Sequence, residues 1–310
     1  MHVLVTGATG FIGSAIVRAL LARGHAVTGL VRHPARGANL QARGMRIAVG
    51  EMTQPITYTP LVAQTQAVIH AAQAKPRGRW TNGKIVAMHR SDATMTRALA
   101  TECLLQNKPL IYTSGALAHA GGGESWMDES APLRPCLLAR GHAEMVYELW
   151  TLHQRHGLQA QVVTPGFVYG PGGFMQETIS LLRRGQYRIV GKGANYWGLV
   201  QVDDLAQVYV LALERGQAGQ NHFVGDDLPL RRAEVICRLA AALGLPRVGN
   251  APGWIVGLLL GFPLVEALNV SLRMRNALVK ARLGWQPRYA TFDTGLAELL
   301  RDLLGNEKLC

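Results

Sequence analysis

Cysteine is scarce in this chain: four in 310 residues (Cys103, Cys136, Cys237 and Cys310), no two of them close together. Such spacing excludes a disulfide framework and a CxxC zinc site, and it suits a reducing compartment. Long apolar runs are missing as well. The strongest one, Trp254–Phe262, is too short to span a bilayer and is broken by Pro263, so stable membrane insertion is not expected. A buried or pocket-lining helix is the simpler expectation for it, with weak contact at a membrane surface as the alternative. No segment repeats, and no long polar tract points to disorder. Lysine is rare: 6 against 26 arginines, for a net charge of +12. The arginines are scattered from Arg18 to Arg301, with only short pairs such as Arg183–Arg184 and Arg231–Arg232. That leaves no basic run of the nucleic-acid-binding kind, and a solvated basic surface is expected instead. The apolar N-terminus lacks the basic n-region of a signal peptide. A cytoplasmic location is the expectation.

What the chain does have is glycine in a telling place. His2–Thr6 (HVLVT) predicts a short buried strand, and Ile12–Arg23 predicts a helix with Ile12, Ile16, Ala19 and Leu20 on one face. Between them runs Gly7-Ala-Thr-Gly10-Phe-Ile-Gly13. One glycine lets the chain double back, a second lets backbone approach a pyrophosphate, and a third permits close helix–strand packing. The helix start then offers unpaired N–H groups and a positive dipole end. Gly7, Thr9, Gly10, Phe11, Ile12 and Gly13 are therefore the candidate phosphate cradle. A second strand at Ala26–Val31 ends in Arg32-His33, with no acidic residue to hold an adenosine ribose. Arg32 suits a 2′-phosphate, so NADP is the expected cofactor and NAD the second choice.

With these residues in view, the chain resembles the extended short-chain dehydrogenase/reductases, the NAD(P)-dependent epimerase/dehydratase group. Thr6–Gly13 (TGATGFIG) matches that glycine signature, and further landmarks follow in the same order. They are Val68–Ala72, Leu110–Gly115, Thr164–Gly170, Val202–Ala206 and Leu283–Pro287. The resemblance implies an α/β fold: a Rossmann-type doubly wound parallel sheet with a smaller C-terminal substrate-binding portion. Residues 1–170 would form the dinucleotide-binding domain, rejoined by a strand and helix near 200–225, and 171–310 mainly the substrate portion. It also implies cofactor contacts at Glu51, Met52, Ala71, Ala72, Arg140, Pro165 and Val168, and an active-site serine at Ser114.

The catalytic signature of that family is a tyrosine followed four residues later by a lysine, the cation bringing the phenol's pKa toward neutrality. None of the eight tyrosines here has a lysine four positions on. Laying the family pattern over Asp128–Pro135 and Ala143–Glu144 puts Cys136 in the tyrosine position and Arg140 in the lysine position. Two readings compete. Either Cys136, its thiol lowered by a guanidinium, moves the proton while Arg140 holds the ribose, or Cys136 is a small buried residue. Tyr169 is a further candidate for the missing phenol, and His119 and His142 for a general base. His153 and His156 fall three apart on a predicted helix, but with no third ligand evident no metal site is expected.

Relatives acting on nucleotide-sugars carry an arginine where counting back from Asp203 gives Trp197. An indole suits an apolar or planar ligand, so a small hydrophobic or aromatic substrate is expected. Three functions stay open: an oxidoreductase on such a carbonyl or alcohol, a non-redox isomerase or cyclase, and a non-catalytic NADP-binding regulator. The resemblance also allows a homodimer.

Overall fold

The computed structural model describes residues 1–76, 78–119 and 122–307. The strands are β1 (His2–Thr6), β2 (Ala26–Val31), β3 (Arg46–Val49), β4 (Ala67–His70), β5 (Leu110–Thr113), β6 (Ala160–Pro165), β7 (Phe167–Tyr169), β8 (Ile189–Val190), β9 (Tyr196–Trp197), β10 (Leu199–Gln201), β11 (Asn221–Val224), β12 (Leu230–Arg231) and β13 (Asn250–Ala251). The helices are α1 (Phe11–Ala22), α2 (Ala38–Ala42), α3 (Thr59–Ala63), α4 (Asn82–Leu105), α5 (Arg140–His156), α6 (Gly173–Arg183), α7 (Val202–Arg215), α8 (Arg232–Ala242), α9 (Gly253–Leu260), α10 (Phe262–Asn269), α11 (Ala277–Leu283) and α12 (Phe292–Glu307).

Seven strands form one parallel sheet in the order β11-β6-β5-β4-β1-β2-β3. Its central strands are apolar on both faces because helices cover both sides. Alternation along each strand divides the side chains between two cores. Val3, Val5, Ile69, Ile111 and Val163 join α1 and α7 in one. Leu4, Val68, Leu110, Tyr112 and Val162 join α4 and α5 in the other. The sheet grows one way from β1 through β2 and the other way through β4. That reversal opens a crevice at the carboxyl ends of β1 and β4, where doubly wound sheets bind ligands.

After β7 the chain builds a third core from α6, α8, α10 and α12, centred on Tyr169, Trp197 and Phe292. It returns to the main sheet through α7 and β11, which pairs with β6. The closing segment is tied down by Asp204. Its carboxylate accepts the N–H groups of Arg288 and Tyr289, both at 2.8 Å, and its carbonyl accepts Trp285 Nε1 at 3.1 Å.

One expectation is corrected here. Trp254–Phe262 forms no buried or pocket-lining helix. Gly257 is the only buried residue of α9, while Trp254, Ile255, Leu258, Leu259, Leu260 and Phe262 are exposed. The reason is local. Gly261, at φ +108°, ends α9 and turns the chain straight into α10. The two helices then pack on each other through Gly257 and the Phe262 ring, leaving most of α9 uncovered. None of the described helices is long and apolar enough to cross a membrane.

The role of Asp204 as a lock between α7 and the closing segment is testable. Asp204→Ala leaves one buried and one partly buried N–H group without acceptors, and unfolding in urea is expected to show a loss of about 1–3 kcal/mol. An unchanged midpoint would contradict that role.

Candidate active site

The turn after β1 is built around close backbone approach. Gly7 has φ +69°, and a Cβ there would lie 2.6 Å from the Ala71 carbonyl oxygen and 2.7 Å from the Ala72 nitrogen. A Cβ on Gly13 would lie 2.0 Å from the Gly7 carbonyl oxygen. The turn is thus clamped between the end of β4 and the first turn of α1. Gly10 is the N-cap of α1 and has no side chain to cap it, and the first turn holds no acidic residue. The N–H groups of that turn face an open cavity, the arrangement that attracts phosphate.

The cavity measures about 1020 Å³ and runs along the carboxyl ends of the strands. Gly7, Thr9, Gly10, Phe11, Ile12 and Gly13 line its middle. Arg32, Glu51 and Met52 line one end, and Ala71, Ala72, Ser114, Pro165 and Val168 also reach it. Sequence reasoning missed Arg36, which joins Arg32 on the wall; a second arginine four residues on was the available signal. It also missed Gln73, Trp80, Leu138, Phe167 and Leu272, whose arrival depends on tertiary packing. The Glu51 carboxylate accepts the Met52 N–H at 3.0 Å. Ser114 Oγ is buried and has no hydrogen-bond partner in the fold.

A profile described as "NAD dependent epimerase/dehydratase family" matches residues 3–225. The chain belongs to this family. A relative from Streptomyces sp, 3-diazoavenalumate denitrifying reductase, is 30% identical over 305 residues, covering 96% of this chain and 99% of the relative. The 2-alkyl-3-oxoalkanoate reductase of Shewanella oneidensis is 27% identical over 293 residues, covering 89% and 73%. Among solved structures, a dTDP-glucose 4,6-dehydratase from Streptomyces venezuelae superposes with a TM-score of 0.83 at 23% identity. That match covers 100% of this chain and 98% of the other, and it shows the fold alone.

Against the family pattern, five of the residues named from sequence stand outside the cavity. Cys136 is buried among Ala118, Ala139, Ala143 and Ala267. Burial pushes its thiol up, and the charge that acts on it is the Glu266 carboxylate rather than a guanidinium. The expected lowering of that thiol is therefore corrected. Arg140 opens α5 and is exposed. Tyr169 is fully buried, its ring edge-on to Phe292 and its hydroxyl without a partner. The desolvated phenol is driven further above its ordinary value, and the nearby carboxylates Asp226 and Asp204 add to the rise. Trp197 is likewise in the third core, stacked on Phe167 at 4.5 Å. It backs the cavity wall without forming it. His119 is buried with Nδ1 at 2.9 Å from the Ala131 carbonyl.

The histidine that does reach the cavity is His142, on the first turn of α5. Gln73 Nε2 donates to its Nε2 at 2.8 Å, which leaves the ring proton on Nδ1, facing Tyr112 Oη at 2.8 Å. Desolvation, with His89 nearby, pulls the imidazole down to about 4, so it is neutral at physiological pH. Behind it, His70 bridges Thr6 and Thr96 at 2.7 and 3.0 Å. Asp92 accepts the Ala74 N–H at 2.8 Å. Its burial lifts the carboxyl to about 7, against the pull of that hydrogen bond.

Asp92 gives a pH prediction. Its folded pKa lies above the unfolded value of about 3.9, so the folded chain holds the extra proton between those values. The contribution to stability is then full at low pH and falls as pH rises through about 4 to 7. Asp92→Asn keeps an acceptor for Ala74 without the charge. It is expected to melt higher than the parent at pH 8, with the gap narrowing toward pH 5. A gap independent of pH would contradict this.

Proposed function

We propose that this protein is a reductase that uses a nicotinamide dinucleotide, NADP in preference to NAD, on a hydrophobic or aromatic carbonyl or the matching alcohol. One observation carries the reading. A single cavity joins an arginine-lined end, a glycine cradle at a helix start, and an apolar end holding an unused hydroxyl, Ser114 Oγ.

The residues present fit the dinucleotide. The α1 amides and the Cβ-free surface of Gly10 suit a pyrophosphate, and Arg32 with Arg36 suits a 2′-phosphate through guanidinium forks. When bound, the cofactor supplies or accepts a hydride. The chain's own part is to bind, orient and exclude water. Ser114 Oγ donates to the substrate oxygen as negative charge builds there, and the dry walls of Phe167, Leu138 and Leu272 strengthen that bond. His142, neutral, serves as a hydrogen-bonding wall and not as an acid.

The charge of the cavity supports this substrate class. Among the described residues, the only other side-chain cation lining the cavity is Lys75, which pairs with Glu177 at 3.1 Å. A nucleotide-sugar diphosphate would ask for more than that. The relative named as a reductase of 2-alkyl-3-oxoalkanoates also supports an apolar ketone.

A second reading has an observation of its own. No tyrosine hydroxyl lines the cavity among the described residues, which favours a non-redox enzyme or a dinucleotide-dependent regulator. NADPH oxidation across a panel of alkyl and aryl ketones separates the two. Turnover is expected, with Ser114→Ala slowing kcat by about 10²-fold. The double variant Arg32→Asp, Arg36→Asp is expected to shift preference from NADPH toward NADH by at least about tenfold. NADPH binding without consumption on any ketone would favour the second reading, and failure to bind either dinucleotide would overturn both.

A further inference from the structure

We propose that the α9–α10 hairpin docks the protein on an anionic lipid surface, with the cavity mouth beside the docked face. This inference stands apart from the chemistry of the cavity.

The shape of the exposed surface comes first. At 100° per residue, Trp254, Ile255, Leu258 and Leu259 share a face roughly 140° wide on α9, and Leu260 ends the helix beyond Val256. All five are exposed, and Phe262 follows just beyond the turn. Gly257 is buried and Val256 packs, partly buried, against the third core. A helix with an exposed apolar face this wide stands out as a ridge. Acyl chains surround it. An aromatic at the start of such a segment is also the side chain that favours the membrane–water interface.

The charge around the ridge is mostly basic. No acidic residue occurs between Glu234 and Glu266, and Glu266, exposed on α10, accepts the Leu137 N–H. The strand β13, which leads into α9, pairs with β8, and β8 is flanked by Arg188 and Lys192. Arg247 precedes β13, and Arg79 adjoins Trp80, whose N–H donates to the Leu260 carbonyl at 2.9 Å. These four cations are exposed, and no carboxylate pairs with any of them among the described residues. A cationic fringe on an apolar helix matches anionic headgroups. It opposes a second copy of this chain, because a twofold contact would bring like charges together.

The hairpin also adjoins the cavity. Trp80 lines the cavity and is hydrogen-bonded to the end of α9. Ala267 of α10 packs with Ala139, another lining residue. A docked hairpin therefore sets the apolar end of the cavity next to a lipid phase, from which a hydrophobic compound can partition.

Flotation of the full chain with phosphatidylcholine vesicles, with and without phosphatidylglycerol, tests this. Binding to the anionic vesicles is expected, weakened by salt. Leu258→Asp with Leu259→Asp is expected to weaken it by at least about tenfold while the melting temperature stays put, since both side chains are already in solvent. Arg188→Glu with Lys192→Glu and Arg247→Glu is expected to remove the preference for phosphatidylglycerol. Absence of flotation with both vesicle types would overturn the proposal. So would lipid-free dimerisation that Leu258→Asp abolishes.

Discussion

The arrangement rests on one steric constraint: the turn after the first strand has no room for side chains. Gly7 lies against the backbone at the end of β4, and Gly13 against Gly7 itself. Any Cβ at either point would collide with main-chain atoms, which cannot rotate aside. This contact fixes the start of α1 beside the carboxyl end of β4, just where the sheet changes direction. Chain reversal, crevice and exposed helix amides are therefore consequences of the same packing. The two flanking cores, one holding Val3 and Val5 and the other Leu4, hold β1 rigidly enough for the clamp to persist.

How much of this was legible from the sequence depended on how local the cause was. β1 and β2 have the bounds read from the sequence, and α1 lies one residue earlier than read, because alternation and glycine spacing act within a few residues. The α9 stretch was misread because hydrophobicity alone does not say what covers a helix; a glycine turn folded it against α10 and left it outside. Trp197 points into a core for a related reason, being pinned between Phe167 and Phe174. Leu272 and Trp80 reach the cavity from segments far apart in the chain, and no short-range pattern announces that.

The departure from the family's catalytic pattern looks different once packing is considered. Cys136 and Arg140 keep the spacing of the usual pair, yet the thiol is enclosed by alanines and the guanidinium faces solvent. What lines the cavity from α5 is His142, hydrogen-bonded to Tyr112 and Gln73. Among the described residues that line the cavity, Ser114 carries a buried hydroxyl without a partner. Under the proposed function, such a site serves orientation and charge stabilisation more than proton exchange.

The account turns on whether the glycine cradle holds a pyrophosphate. Calorimetric titration of NADPH into the parent and into Gly10→Ala addresses this directly, since a Cβ at Gly10 meets only the Gly7 carbonyl oxygen, at 3.1 Å, which asks the turn to give by a few tenths of an ångström, far less than at Gly7 or Gly13. The predicted result is a measurable heat of binding for the parent and a loss of at least about tenfold in affinity for the variant. Equal affinity in the two, with both folded, would contradict it.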